Sequence, residues 1–260
     1  MSALEYRVDE HIATITLNRP DRMNAFTMEM VDRWAEALRS AERDDDVRAV
    51  LVTGSGKAFC SGVDLDEFSG EERGPLQEKH LLTDRVHQVA LAMDEMSKPV
   101  IAAVNGVAVG AGMDMSLMCD IRFAAASARF SEGYIRVGLV PGDGGCYYLP
   151  RIVGTATALR LLWTGEFIDS AEAKRIGLVS EVYPDDELID RAREFVGTLA
   201  RQAPIAVRMI KRSVRSAERQ DLRAALDLIS SHQAVVTSTQ DSKEAFAAFR
   251  ERRAPVFEGR

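Results

Sequence analysis

Two stretches of this 260-residue chain place small residues and acids where chemistry needs bare backbone. Residues 49–68, AVLVTGSGKAFCSGVDLDEF, and residues 99–118, PVIAAVNGVAVGAGMDMSLM, share one pattern: an apolar run enters a small-residue loop and leaves into a helical or polar segment. Small residues let backbone N–H groups approach a ligand oxygen. A helix beginning near Ala111 or Gly112 would aim its unpaired N–H groups and positive dipole end at the same point. Two donors from two loops make an oxyanion hole. Asp114 follows in the first helical turn, where the dipole favours the ionised form. Neither loop is a nucleotide loop by spacing: Gly54, Gly56 and Lys57 do not form GxxxxGK[ST], and Met115 stands where a dinucleotide fingerprint wants Gly or Ala. Taken singly, each loop is as well explained by close packing or by turns needing positive φ. Together, at the carboxyl ends of parallel strands, they sit where open α/β sheets bind ligands.

The elements that must position these loops follow from hydrophobic period. Residues 5–20, EYRVDEHIATITLNRP, alternate at Ala13, Ile15 and Leu17 after a polar turn and predict a two-stranded hairpin ended by Pro20. Thr27 is a plausible N-cap, and Met30, Trp34, Leu38 and Ala41 recur at helical spacing. The runs VRAVLVTG and PVIAAVNG read as strands buried on both faces, with an amphipathic helix around residues 81–96 between them and a polar, mobile stretch EFSGEERGP ahead of it. Strand, helix, strand at this spacing argues for crossover units and a parallel sheet. A helix MDMSLMCD, a strand DIRFAAA, a short strand or turn ARFSEGYIRVG and a turn VPGDGG follow; from Tyr147 the pattern is helical, broken only by LVSEVYP.

Composition closes off several classes. The formal net charge of -7 provides no basic field to gather nucleic acid or an acidic membrane surface. Cys60, Cys119 and Cys146 are odd in number and far apart, which points to a reducing compartment, the cytoplasm, and to no structural zinc. The first residues carry acids where a signal peptide needs an apolar core, and the longest uncharged run falls short of the ~20 apolar residues of a membrane span.

KAFCSGVDL and AVNGVAVGAGMDMSLMCDIRFAA, followed by FSEGYIRVGLVPGDGGCYYLPRIVG, TGEFIDSAEAKRIGLVSEV and the C-terminal AFRERRAPVFEGR, resemble the crotonase (enoyl-CoA hydratase/isomerase) family over essentially the whole chain. The resemblance implies an α/β fold: a crotonase-like spiral of ββα units over residues 1–195 and a C-terminal helical trimerisation region over 196–260. It further implies homotrimers or homohexamers, an acyl-CoA thioester substrate, and neither metal nor redox cofactor, coenzyme A being part of the substrate.

Carried over by position, the oxyanion donors are the backbone N–H groups of Val63 and Ala111, slightly bulkier than the Ala and Gly common there. Arg22, Met23, Ala25, Ala58, Ser61, Gly62, Asp64 and Leu65 match segments that line coenzyme A, and Gly110 and Gly112 flank the second donor. For Arg22 and Lys57 a solvated surface charge is an equal reading. Arg252 and Arg253 are most simply solvated, with a coenzyme A phosphate as the alternative contact.

Hydratases of the family carry glutamates at the positions of Asp114 and Tyr134, and this chain departs at both. Asp114 keeps a carboxylate and is the general-base candidate, against a helix-cap or ion-pair role. Tyr134, with an ordinary pKa near 10, donates a hydrogen bond but is a poor proton acceptor. If residues 128–136 are extended, Glu132 shares a side with Tyr134 and is a further acid/base candidate, its plainer role being a surface or structural one. Asp143 lies close to where some isomerases of the family carry their acid, against a turn-forming role. The four histidines suggest no chemistry: His11 falls in a turn, His80 and His87 on a surface helix face, His232 among the C-terminal helices. Cys60 reads as a packed small residue.

The resulting expectation is an enoyl-CoA hydratase/isomerase-type enzyme working through an enolate. The alternatives are thioester hydrolysis, decarboxylation or other chemistry on the same scaffold, or a non-catalytic acyl-CoA- or RNA-binding homologue.

Overall fold

A computed structural model describes residues 2–68 and 73–260. Among the described residues, ten strands run in chain order as β1 (Leu4–Asp9), β2 (Ile12–Leu17), β3 (Ala49–Gly54), β4 (Ala58–Cys60), β5 (Val100–Val104), β6 (Val107–Val109), β7 (Ile121–Ala125), β8 (Arg129–Ser131), β9 (Ile168–Asp169) and β10 (Glu181–Tyr183). The helices are α1 (Met28–Arg43), α2 (Leu65–Phe68), α3 (Pro75–Leu81), α4 (His87–Glu95), α5 (Ala111–Leu117), α6 (Gly145–Val153), α7 (Thr155–Thr164), α8 (Ser170–Arg175), α9 (Leu188–Ala200), α10 (Pro204–Ala217), α11 (Leu222–Ser238) and α12 (Gln240–Glu251).

The hairpin β1–β2 opens a larger sheet ordered β1-β2-β3-β5-β7-β10, parallel from β2 onward. A second, smaller sheet is ordered β4-β6-β8-β9. Each turn of the chain therefore lays one strand in each sheet and then a helical segment: β3, β4, α2 to α4; β5, β6, α5; β7, β8, α6 and α7. This is the spiral of ββα units that the resemblance implied. Every residue of β3 and of β5 is buried, as expected of strands covered on both faces.

Thr27 caps α1 by accepting from the Met30 amide at 3.2 Å, and Met30, Trp34, Leu38 and Ala41 bury the face the spacing indicated. The helix expected around residues 81–96 is broken: α3 ends at Leu81, a π-turn spans Leu82–Val86, and α4 follows. Of the three-residue strands of the small sheet, β4 and β6 fall within segments that read as small-residue loops, three residues being too few to show a period, while β8 falls in the stretch that reads as a short strand or turn. Residues 128–136 are extended only over β8; a 3-10 turn, Gly133–Val137, takes over. The stretch expected to be mobile includes residues 69–72, which lie outside the described residues.

Helix α9 packs on β3 and β5 through Leu188, Ala192, Val196 and Ala200, so residue 195 falls inside it. By contrast α10 has no buried residue. It is tied to the body by Lys211 and Arg215, which both pair with Asp120, at 2.6 and 2.8 Å. No helix among the described residues is long and apolar enough to cross a membrane.

Candidate active site

The two glycine loops meet. Residues 22–26 lie along residues 61–64 through Ser61 N–H to Met23 O (3.0 Å), Phe26 N–H to Gly62 O (2.9 Å) and Asp64 N–H to Phe26 O (3.0 Å). Asn24, fully buried and left-handed at φ 56°, fixes this arrangement. Its Nδ2 donates to Ala58 O (2.7 Å) and Ser55 O (2.9 Å), and its Oδ1 accepts from the Arg19 amide (2.8 Å). Arg19 pairs with Asp64 at 2.7 Å and holds that carboxyl below its ordinary range.

Gly62, at φ 95°, has no room for a side chain: a Cβ there would lie 2.9 Å from Val109 O and 3.7 Å from Ala111 N. That contact brings the residues following each glycine, Val63 and Ala111, to one place. Gly110 turns at φ 52° from β6 into α5, and a Cβ on Gly112 would fall 2.1 Å from Cys60 O, so α5 seats directly on β4. Among the described residues neither the Val63 nor the Ala111 amide donates to any partner. For Ala111 this is the ordinary condition of a first helical residue.

Across from these donors the acids converge. Asp114, on α5, is fully buried. The Tyr134 hydroxyl lies 2.9 Å from Asp114 Oδ2 and 2.6 Å from Asp143 Oδ2. A Cβ on Gly110 would touch the Tyr134 ring at 3.6 Å, so the phenol spans from the donor loop to the acids. A Cβ on Gly145 would lie 2.3 Å from Asp114 Oδ1; its absence leaves room for the carboxyl. Glu132, weighed between an acid/base role and a surface or structural one, is 1% exposed inside this cluster and not at the surface. Asp114 Oδ1, Asp143 Oδ1 and both Glu132 oxygens are buried without a donor.

The electrostatics follow from burial. Asp114 is pushed up to about 7, by desolvation first and the Asp143 charge second, while Tyr134, Glu132 and the Gly145 amide lower it. The helix dipole expected to keep Asp114 ionised is thus outweighed. Burial also raises Asp143, against the Tyr134 hydrogen bond and His87. Glu132 is driven well above the carboxylate range by burial and by Asp114. The Tyr134 phenol rises for the same reasons and keeps its proton. That one proton has two acceptors. It serves one carboxyl at a time: the phenol donates to Asp143, at the shorter distance, while a protonated Asp114 donates to the phenol oxygen, and it turns to Asp114 when that carboxyl is ionised.

Val63, Ala111, Gly62, Gly110, Gly112, Asp114, Tyr134, Glu132 and Asp143 therefore lie together in the fold. Ala25 and Ala58 are buried behind the first loop; Met23 and Leu65 are exposed on its rim, with Ser61 partly covered. Arg22 is also at the rim, paired with Asp66 at 2.9 Å, and Arg253 is engaged by Glu244 and Glu251. Cys60 donates to Asn24 O at 3.1 Å and burial pushes its thiol up to about 12, which rules out a resting thiolate. The described residues hold no group of three or more His, Cys, Asp or Glu arranged to bind a metal ion.

Sequence reasoning missed three participants. His87, expected on a surface helix face, follows the π-turn with Nε2 2.8 Å from Gly142 O, beside Asp143. Gly145 had a signal in the GDGG run, read only as a turn. Asn24 had none, because its φ and burial exist only in the folded chain.

The chain belongs to the enoyl-CoA hydratase/isomerase family, whose model matches residues 7–260. Within that family it is 37% identical over 254 residues to 1,2-epoxyphenylacetyl-CoA isomerase of Escherichia coli K12, covering 97% of each chain. It is 35% identical over 243 residues to the short-chain-enoyl-CoA hydratase of Clostridium acetobutylicum, covering 93% and 92%. The crystal structure of an enoyl-CoA hydratase from Bacillus anthracis superposes with a TM-score of 0.94 at 33% identity over the full length of both chains.

Proposed function

We propose that the protein is an acyl-CoA enzyme that moves a proton on an enoyl thioester and so shifts its C=C bond. The supporting observation is Asp114, a buried carboxyl titrating at about 7 beside two uncommitted backbone amides. In this reading the thioester carbonyl accepts from Val63 N–H and Ala111 N–H. Negative charge building on that oxygen is held as an enolate, and Asp114 takes the proton from one carbon and returns it to another. A group with a pKa near the working pH is suited to both halves of that transfer. Tyr134 keeps its proton and serves as a hydrogen-bonding partner, not as the base.

Hydration of a 2-enoyl thioester is the second reading, favoured by one observation: Asp114 Oδ1 and Asp143 Oδ1 are both open acceptors within the cluster and suit a water at Cβ. Arg22, Met23, Ser61 and Leu65 border the loop mouth where coenzyme A would lie, with Ala25, Ala58 and Asp64 shaping the loop beneath. Coenzyme A enters as part of the substrate, with no metal or redox cofactor.

The helical region that follows α9 serves assembly into a trimer or hexamer in this proposal. Exposed Ile210, Val214, Leu222, Leu226, Phe246 and Phe249 on α10 to α12 require cover. The three free cysteines favour the cytoplasm, and the net negative charge disfavours RNA or a membrane as partner.

The test is incubation with saturated, 2-enoyl and 3-enoyl coenzyme A thioesters in deuterium oxide, followed by mass analysis. Deuterium gain with migration of the double bond, and no added water, is expected. Added water alone would select hydration, and no change with any thioester would end the catalytic reading.

A further inference from the structure

Glu132 is the buried acid that the proposed reaction leaves unused. Its neighbours are the carboxyls of Asp114 on α5 and Asp143 ahead of α6, the Cys146 thiol in the first turn of α6, and the Tyr134 phenol; none is a cation. Asp143 in turn faces Tyr134 and His87, and Asp114 faces Tyr134, Asp143, Glu132 and the Gly145 amide. Glu132 and Asp114 each shift the other's titration as neighbours in the same buried cluster. As two carboxylates they have no hydrogen to share, which leaves both Glu132 oxygens and Asp114 Oδ1 unsatisfied. A single proton on Glu132 turns the same contact into a hydrogen bond and removes one buried charge.

We infer that Glu132 is a positioning residue: it holds its proton through the reaction and donates a hydrogen bond to the Asp114 carboxyl, whose Oδ2 is met by Tyr134. Asp114 is then a carboxylate steadied by two neutral donors inside a site with no lysine or arginine among the groups that face it. Burial and Asp143 drive Asp114 upward; the two donors bring it back to where it can release a proton at neutral pH. The inference rests on the reading that Asp114 moves the proton, but its first test does not.

That test is an infrared difference spectrum at neutral pH between the wild-type protein and Glu132→Gln, both without substrate. The account predicts loss of the carbonyl band of a protonated buried carboxyl. Loss of carboxylate bands instead would overturn it, whatever the enzyme does with thioesters.

The second test compares pH profiles of kcat/KM. Glu132→Leu removes the donor, so the acid limb moves to higher pH and kcat at neutral pH falls by about tenfold or more. Glu132→Gln restores a neutral donor, so the limb returns to its wild-type position and kcat recovers relative to the leucine variant. Were Glu132 ionised, the glutamine would delete a negative charge beside Asp114 and move the limb to lower pH, which would contradict the inference. A wild-type protein inert toward every thioester would sink the proposed function and leave the infrared result standing.

Discussion

The two sides of the site are built from different materials. The donor side is backbone: two amides, carried by loops that touch because Gly62 and Gly112 have no side chains, with Gly110 making the turn at φ 52°. The acid side is side chain: Asp114, Tyr134, Asp143 and Glu132, gathered from α5, a 3-10 turn and the loop before α6, with His87 beside Asp143. Backbone donors are fixed by the fold and insensitive to the identity of the residue that carries them. Buried acids set one another's protonation, so any one replacement changes the rest. Substitutions on the first side should therefore register in stability, and on the second in rate and pH dependence.

The sharpest break is Asp114→Asn, which keeps volume and removes the proton acceptor. It should lower kcat/KM by about 10² to 10⁴-fold while the thermal midpoint holds or rises, since a buried charge is lost. A rate near wild type in a steady-state assay would show that another group is the base.

Next comes a paired comparison of glycines. Gly145→Ala puts a Cβ 2.3 Å from Asp114 Oδ1, a side chain that can turn aside, so it should cost about 10²-fold in rate with a modest loss of stability. Gly112→Ala puts its Cβ 2.1 Å from Cys60 O, a backbone atom in β4, and should lower the thermal midpoint far more. Calorimetry and kinetics on the two variants together test whether the sides divide as described; equal stability losses would erase the distinction.

Tyr134→Phe should lower kcat/KM by about ten- to a hundredfold, the cost of a hydrogen bond to a charged group. The sign of its pH effect is fixed: the phenol lowers the Asp114 pKa, so its loss moves the acid limb to higher pH. The smallest effect belongs to Val63→Ala. It leaves the donor in place and only widens the pocket, and a cost below about tenfold is expected from the same assay.

The donor side was legible in the sequence because its chemistry depends on what is absent. Gly62, Gly110 and Gly112 stand out in any reading, and the strand-like runs before them announce where they sit. The acid side was only partly legible. Asp114 was visible beside the glycines, and Asp143 was a candidate, but the burial of Glu132 was not readable from SEGYIR, a polar run that looks exposed. Its position depends on the 3-10 turn that follows β8, in a stretch that reads from sequence as a short strand or turn. His87 was hidden for a related reason: the π-turn at Leu82–Val86 rotates the helix face after it, so a pattern read at 3.6 residues per turn sent His87 outward. Strands β4 and β6 of the small sheet escaped because pairing between distant segments, and no local period, creates them.

The most direct measurement is the pH dependence of kcat/KM for the wild-type protein and Asp143→Asn on the same enoyl thioester. A base raised to about 7 makes activity climb as pH passes that value, because the carboxylate is the working form. Removing the Asp143 charge relieves one cause of the elevation, so the climb should shift to lower pH in the variant. A wild-type profile flat through neutrality, or a limb in the same place in both proteins, would contradict the claim that mutually repelling buried acids set the proton transfer.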